Sequence, residues 1–185
     1  MQVIILLGLA LIWGGFTGTT VHATPHDALL QTAGLSAVEP SGTAPDFELS
    51  DHHGKKVRLH DLRGKVIFIN FWATWCPPCI HEMPMMQQLL NSRKQQSFAI
   101  LALNLQESQE DVAQFMKKKG FQFLALLDRE GRAAASYKVR GLPASYLIDC
   151  SGHLLGAVTG VLQWTSEATQ ILLDTLLKDE ACQET

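Results

Sequence analysis

The 185-residue chain has no basic cluster larger than Lys117-Lys118-Lys119, and its 15 lysines and arginines are outnumbered by 18 acidic residues. A formal net charge of −3 without a basic stripe argues against a phosphate-tracking surface, so nucleic acid is not an expected partner. The lysine triplet reads as the solvated end of a helix, where cations offset the dipole. Cysteine is also scarce, with four in all and none before Cys76, which excludes a lipoprotein signal. Tetrahedral zinc needs a second ligand pair, and Cys150 and Cys182 stand far from Cys76 and Cys79 along the chain. His81 falls one place late for the Cys-x-x-Cys-His signature of covalent haem. Met83, Met85 and Met86 read as helix packing rather than copper ligands, so no metal or cofactor is expected.

Positive charge is missing from the extreme N-terminus too. Val3 to Trp13 is almost purely apolar, and Val21-His22-Ala23 suits signal-peptidase cleavage, yet no lysine or arginine precedes the apolar run. Residues 1–23 are therefore read as a signal peptide, the alternative being an uncleaved membrane anchor through residues 3–16. Export carries a consequence for the cysteines, because disulfides persist outside the cytosol. Cys150 and Cys182 then form either a second bridge or two unpaired thiols, Cys150 at a strand end and Cys182 in a frayed tail.

A hydrophobic content of 46% over this length supports one ordinary domain. Residues 24–40 hold Pro25, Gly34 and Pro40 without sustained periodicity and read as a linker or an added N-terminal segment, followed by a domain over 41–178 and a tail over 179–185. Phe47-Glu48-Leu49 and Val57-Arg58-Leu59 alternate around Asp51-His52-His53-Gly54, a β-hairpin pattern. Val66 to Phe71 and Phe98 to Leu103 are continuous apolar runs, as central strands buried on both faces require. A helix is expected from Ile80 to about Gln95, kinked at Pro84, and another over Gln109 to Lys119, closed by Gly120. After a short strand at Phe123–Leu127 and a short helix at Arg132–Tyr137, Ala144–Ile148 and Leu154–Val158 flank a four-residue turn as an antiparallel hairpin. A last helix over Gln163–Leu177 turns Ile171, Leu172, Thr175 and Leu176 inward. Crossover helices make strands parallel and tight turns make them antiparallel. The fold class is thus α/β, a mixed central sheet with helices on both faces and an N-terminal β-hairpin.

The run Phe71-Trp72-Ala73-Thr74-Trp75-Cys76-Pro77-Pro78-Cys79 sets two thiols three residues apart where an apolar strand gives way to a helix. A helix N-terminus favours a thiolate, so Cys76 is the attacking group of a dithiol/disulfide switch and Cys79, about one turn on, resolves it. Pro77 fits the first turn, where a missing N–H costs nothing, and Pro78 stiffens it. Trp72 and Trp75 are placed around the thiols, Trp75 the more exposed.

With Ala44-Pro45-Asp46-Phe47-Glu48-Leu49, Leu62-Arg63-Gly64-Lys65, Glu82-Met83-Pro84, Asn104-Leu105-Gln106-Glu107-Ser108 and Gly141-Leu142-Pro143 in order around that run, the chain resembles thioredoxin-like proteins of the extracytoplasmic TlpA/ResA type. The resemblance covers about residues 41–177 and implies a thioredoxin-like fold. It implies that Pro143 is cis and that Leu142 offers its backbone to an extended substrate, with Trp75, Pro77 and Pro78 on the docking surface. It also implies that Glu107 exchanges protons with the dithiol. The implied activity is thiol-disulfide oxidoreduction outside the cytosol, in which a monomer reduces disulfides in exported proteins, apocytochrome c among them. A membrane thiol-disulfide donor would supply the electrons. Ala144-Ser145-Tyr146, where such chains more often carry Thr-Thr-Phe, and Cys150 in a turn depart from the pattern and point to a differently shaped groove.

Two other functions remain on the same fold. Peroxiredoxin-like chains share the Ala-Pro-Asp-Phe and Leu-Arg-Gly-Lys segments, but use Thr-x-x-Cys with an upstream proline. Here Thr74 is two before Cys76, and no proline lies between Ile69 and Trp75. A copper chaperone would need wider cysteine spacing and a distant histidine.

Overall fold

The structure is a computed structural model that describes residues 25–183, so the expected signal peptide lies outside the described residues. Its elements are α1 (Pro25–Thr32), β1 (Ser36–Thr43), β2 (Glu48–Asp51), β3 (Lys56–Arg58), β4 (Val66–Trp72), α2 (Pro77–Ser92), β5 (Phe98–Leu105), α3 (Gln109–Lys119), β6 (Leu124–Asp128), α4 (Arg132–Ser136), β7 (Ala144–Ile148), β8 (His153–Thr159) and α5 (Glu167–Leu176). Short 3-10 turns occupy Leu59–Leu62 and Glu180–Cys182.

All eight strands join one sheet in the order β1-β8-β7-β4-β5-β6-β2-β3. β4 runs parallel to β5 and antiparallel to β7, and every one of its residues is buried. Its side chains alternate between two cores. Val66, Phe68 and Trp72 pack with Met83, Met86, Val112 and Leu172 from α2, α3 and α5, whereas Ile67, Ile69 and Phe71 pack with Leu59, Ala133, Tyr137 and Tyr146. The expected α/β architecture, with a mixed sheet, helices on both faces and the β2–β3 hairpin, is present.

Local signals end the helices where chemistry requires. Ser108 caps α3 by accepting a hydrogen bond from the Asp111 N–H at 3.1 Å, and Gly120 closes it at φ 72°, a left-handed conformation that suits glycine. α2 begins at Pro77, three residues before the expected start, and continues through Pro84.

Two open alternatives are decided by the structure, and the reading of the last helix needs correction. Of the two readings for the stretch before the domain, linker or added N-terminal segment, the structure has the second: it carries α1 and β1, and β1 pairs antiparallel with β8 at the sheet edge. Pro40 hid it: proline is tolerated in an edge strand, and the β1–β8 register shifts between Ala37 and Gly42 around it. Helix α5 starts at Glu167, capped by Ser166, and buries Thr169, Leu172, Leu173 and Leu176. Ile171 is 46% exposed and Thr175 also faces outward, because Leu173 takes the inward place assigned to them. Of the two alternatives for Cys150 and Cys182, the bridge is the one present, with Cα atoms 5.2 Å apart and both residues buried, in a tail described through Gln183. The bridge sits at the end of β7 that pairs with the start of β4, where the Gly64 N–H donates to the Cys150 carbonyl at 2.8 Å.

Tying residues 32 positions apart restricts the unfolded chain, so the double variant Cys150→Ala/Cys182→Ala should lose about 2–4 kcal/mol of stability in urea unfolding. An unchanged midpoint and slope would show that the bridge carries no stability.

Candidate active site

The chain leaves the C-terminal end of β4, a central strand, and the turn after it is tied by the Cys76 N–H donating to the Ala73 carbonyl at 3.2 Å. Cys76 is the N-cap of α2, with extended backbone, and Pro77 and Pro78 fill the first two helical positions. Neither proline has an N–H. Of the first-turn donors that an α-helix leaves without an intrahelical acceptor, only that of Cys79 is present beside Cys76. Cys76 and Cys79 form a disulfide with Cα atoms 5.3 Å apart. They differ in access: Cys76 is 4% exposed and Cys79 fully buried.

Cys76 opens onto a groove of about 470 Å³, lined also by Trp75, Pro77, Pro78, Leu105, Val139, Arg140, Gly141 and Leu142. Trp75 is 66% exposed, whereas Trp72 is buried with its ring 5.3 Å from Phe115. Pairing of Phe71 with Ala144 carries Pro143 alongside the cysteine turn. The Leu142–Pro143 bond is cis, as the motif implied. Pro143 itself is buried and accepts a hydrogen bond from the Gly160 N–H at 2.8 Å, so the groove is lined by Leu142 and not by the proline.

Glu107, half-buried after β5, grips the loop that precedes the cysteines. Its carboxylate accepts from the Thr74 N–H at 2.7 Å, from the Thr74 hydroxyl, and from Asn104 Nδ2 at 2.6 Å. Three donors on the carboxylate give Glu107 a bracing position two residues upstream of Cys76. It is outside the groove lining.

A second carboxylate, quoted above only as part of a motif, lies deeper. Glu82 is fully buried one helical turn beyond Cys79 and is held from three directions: Asn70 Nδ2 donates at 2.8 Å, the Leu162 N–H at 3.1 Å and Trp164 Nε1 at 2.9 Å. Asn70 also donates to the Ser145 hydroxyl at 3.0 Å, so the Ser145 that departs from the usual triplet belongs to this polar cluster. Burial pushes the Glu82 carboxyl above the usual carboxylate range, against the opposing pull of its three donors and of His81. A sequence signal for it existed, since Glu82 shares helical spacing with the inward-facing Cys79, Met83 and Met86.

A disulfide at the N-terminus of the helix that follows a central strand, an apolar groove beside its outer sulfur and a cis-proline on the adjoining strand define a thioredoxin-like dithiol/disulfide protein. The chain belongs to the AhpC/TSA family, whose model matches residues 40–156. It is 42% identical over 127 residues to the thiol-disulfide oxidoreductase ResA of Geobacillus thermodenitrificans, covering 69% of this chain and 73% of that one. With ResA of Bacillus subtilis the identity is 39% over 130 residues, covering 70% and 73%. The crystal structure of a thiol:disulfide interchange protein of the thioredoxin family from Chlorobium tepidum superposes with a TM-score of 0.66 at 28% identity, over 76% of this chain and 99% of that one. The activity these relatives share, thiol-disulfide oxidoreduction, is that of this chain.

Because Glu82 keeps its proton to higher pH folded than unfolded, its ionisation opposes folding. Stability should therefore fall as pH rises from the ordinary carboxylate range through the raised value. Glu82→Gln should flatten that slope above the ordinary carboxylate range in urea unfolding, whatever its absolute stability. A slope equal to that of the unaltered protein would remove Glu82 as its source.

Proposed function

We propose that this oxidoreductase works outside the cytosol as a reductant, using Cys76 to attack disulfides of exported proteins. The observation that carries the reading is the unequal access of the pair, Cys76 reaching the groove while Cys79 is sealed beneath it. In the dithiol state the Cys76 thiolate attacks one sulfur of the client disulfide, forming a mixed disulfide and expelling the other client sulfur as a thiolate, which takes up a proton. Cys79 then loses its proton and attacks Cys76 Sγ. That step re-forms the Cys76–Cys79 bond and releases the second client thiol, so two electrons pass to the client. Glu107, whose carboxylate binds Thr74 two residues before Cys76, is the proton partner in this reading and holds that loop in register, while Glu82 lies buried one helical turn beyond Cys79.

Export is supported by the apolar leader in residues 1–23 and by the Cys150–Cys182 bridge, which suits a compartment where disulfides persist. Among the described residues no helix is long and apolar enough to cross a membrane. Kinship to ResA supports exported clients, apocytochrome c among them. A membrane thiol-disulfide donor that returns the pair to the dithiol completes the cycle, with the chain acting as a monomer.

Cys79→Ser should accumulate a mixed disulfide through Cys76 with a disulfide-bonded peptide, visible by mass under non-reducing conditions, and Cys76→Ser should form none. Trapping through Cys79 in the Cys76→Ser protein would reverse the assignment.

A further inference from the structure

The apolar groove beside Cys76 contains a single Lys, Arg, Asp or Glu side chain, that of Arg140. Each of the other five arginines donates to an acceptor: Arg58 to Glu48, Arg63 to the Ser151 carbonyl, Arg93 to Asp174, Arg129 to Gln109 and Arg132 to Glu130. Arg140 is exposed and has no such partner among the described residues. The two carboxylates described at the site are committed elsewhere, Glu107 to Thr74 and Asn104 and Glu82 to Asn70, Leu162 and Trp164. A chain of net charge −3 thus presents an uncompensated guanidinium in the groove where its exchange thiol emerges.

A guanidinium has five N–H donors in a planar fork matched to a carboxylate. Beside apolar walls it attracts anions and repels cations, which acts on encounter rate and choice of partner more than on raw affinity. We propose that Arg140 selects client segments that carry an Asp or Glu side chain close to the cysteine that Cys76 attacks. The inference rests on the reductase reading and adds the chemistry of the client. Trp75, Leu105, Val139 and Leu142 supply contact area that any extended apolar segment can use, and Arg140 supplies the discrimination.

The test uses the full exported chain in its dithiol state and two peptides, each closed by an internal Cys-x-x-Cys disulfide and differing only in Glu or Lys two residues from the first cysteine. Rates of peptide reduction are divided by the rate of the same peptide with dithiothreitol, which removes intrinsic differences in disulfide reactivity. At low ionic strength the Glu peptide should react about three- to tenfold faster than the Lys peptide, a range set by an exposed charge pair and steering. The ratio should fall towards one in Arg140→Gln, persist in Arg140→Lys, and shrink as salt screens the charge. A ratio near one in the unaltered protein, or one that survives in Arg140→Gln, overturns the proposal while leaving the reductase reading intact. If neither peptide is reduced, the reductase reading fails and this inference fails with it.

Discussion

The pairing of β4 on both sides sets everything else in this molecule. Its seven residues, Val66 to Trp72, pair in parallel with β5, and Ile67 to Phe71 pair antiparallel with β7. Both faces are covered as well, so almost no degree of freedom is left at the point where the strand ends. The cysteine turn begins there. The outer thiol is thus held at the end of a strand paired on both sides, while the exposed Trp75 and the Leu142 segment beside it line the groove. Register is the mechanism: Phe71 opposite Ala144 places Pro143 beside the turn, and a slip of one residue would exchange the two cores.

Beneath the cysteines the interior is less apolar than the composition suggests. Asn70, in the middle of β4, breaks a run of large hydrophobics and meets Glu82 and Ser145, all three fully buried. An isolated buried carboxylate is expensive, and this one is kept by donors from β4 and from the loop that links β8 to α5. Trp164 joins the two demands. Its indole N–H satisfies Glu82 while its ring packs against Phe68 at 4.9 Å, so the loop is anchored by polar and apolar contacts at once. The raised position of Glu82 therefore reflects incomplete compensation, with desolvation outweighing three hydrogen bonds.

Most of the sheet was readable because its signals are strong and local. Continuous apolar runs gave β4 and β5, a four-residue turn gave β7 and β8, and Gly120 closed α3. The dithiol pair stood out by spacing alone. What escaped depends on contacts between distant residues. β1 could not be read through Pro40 because its pairing is irregular and supplied by β8, and α1 is a short helix of weak pattern lying against α5. Leu173 displaced Ile171 from the core since a two-turn apolar stripe leaves its edge undecided until the partner surface is known. Glu82 was passed over for a similar reason: three of its donor groups come from positions 70, 162 and 164, and no local pattern announces that meeting.

The two disulfides stand at opposite ends of β4, Cys76–Cys79 beyond Trp72 and Cys150–Cys182 beside Gly64. Seven residues of strand put roughly 20 Å of packed sheet between them. A chain whose activity is thiol-disulfide exchange also carries a second disulfide of its own, and sulfur exchange demands contact. The central strand is therefore an insulator. It keeps the two sulfur pairs of one molecule out of each other's reach.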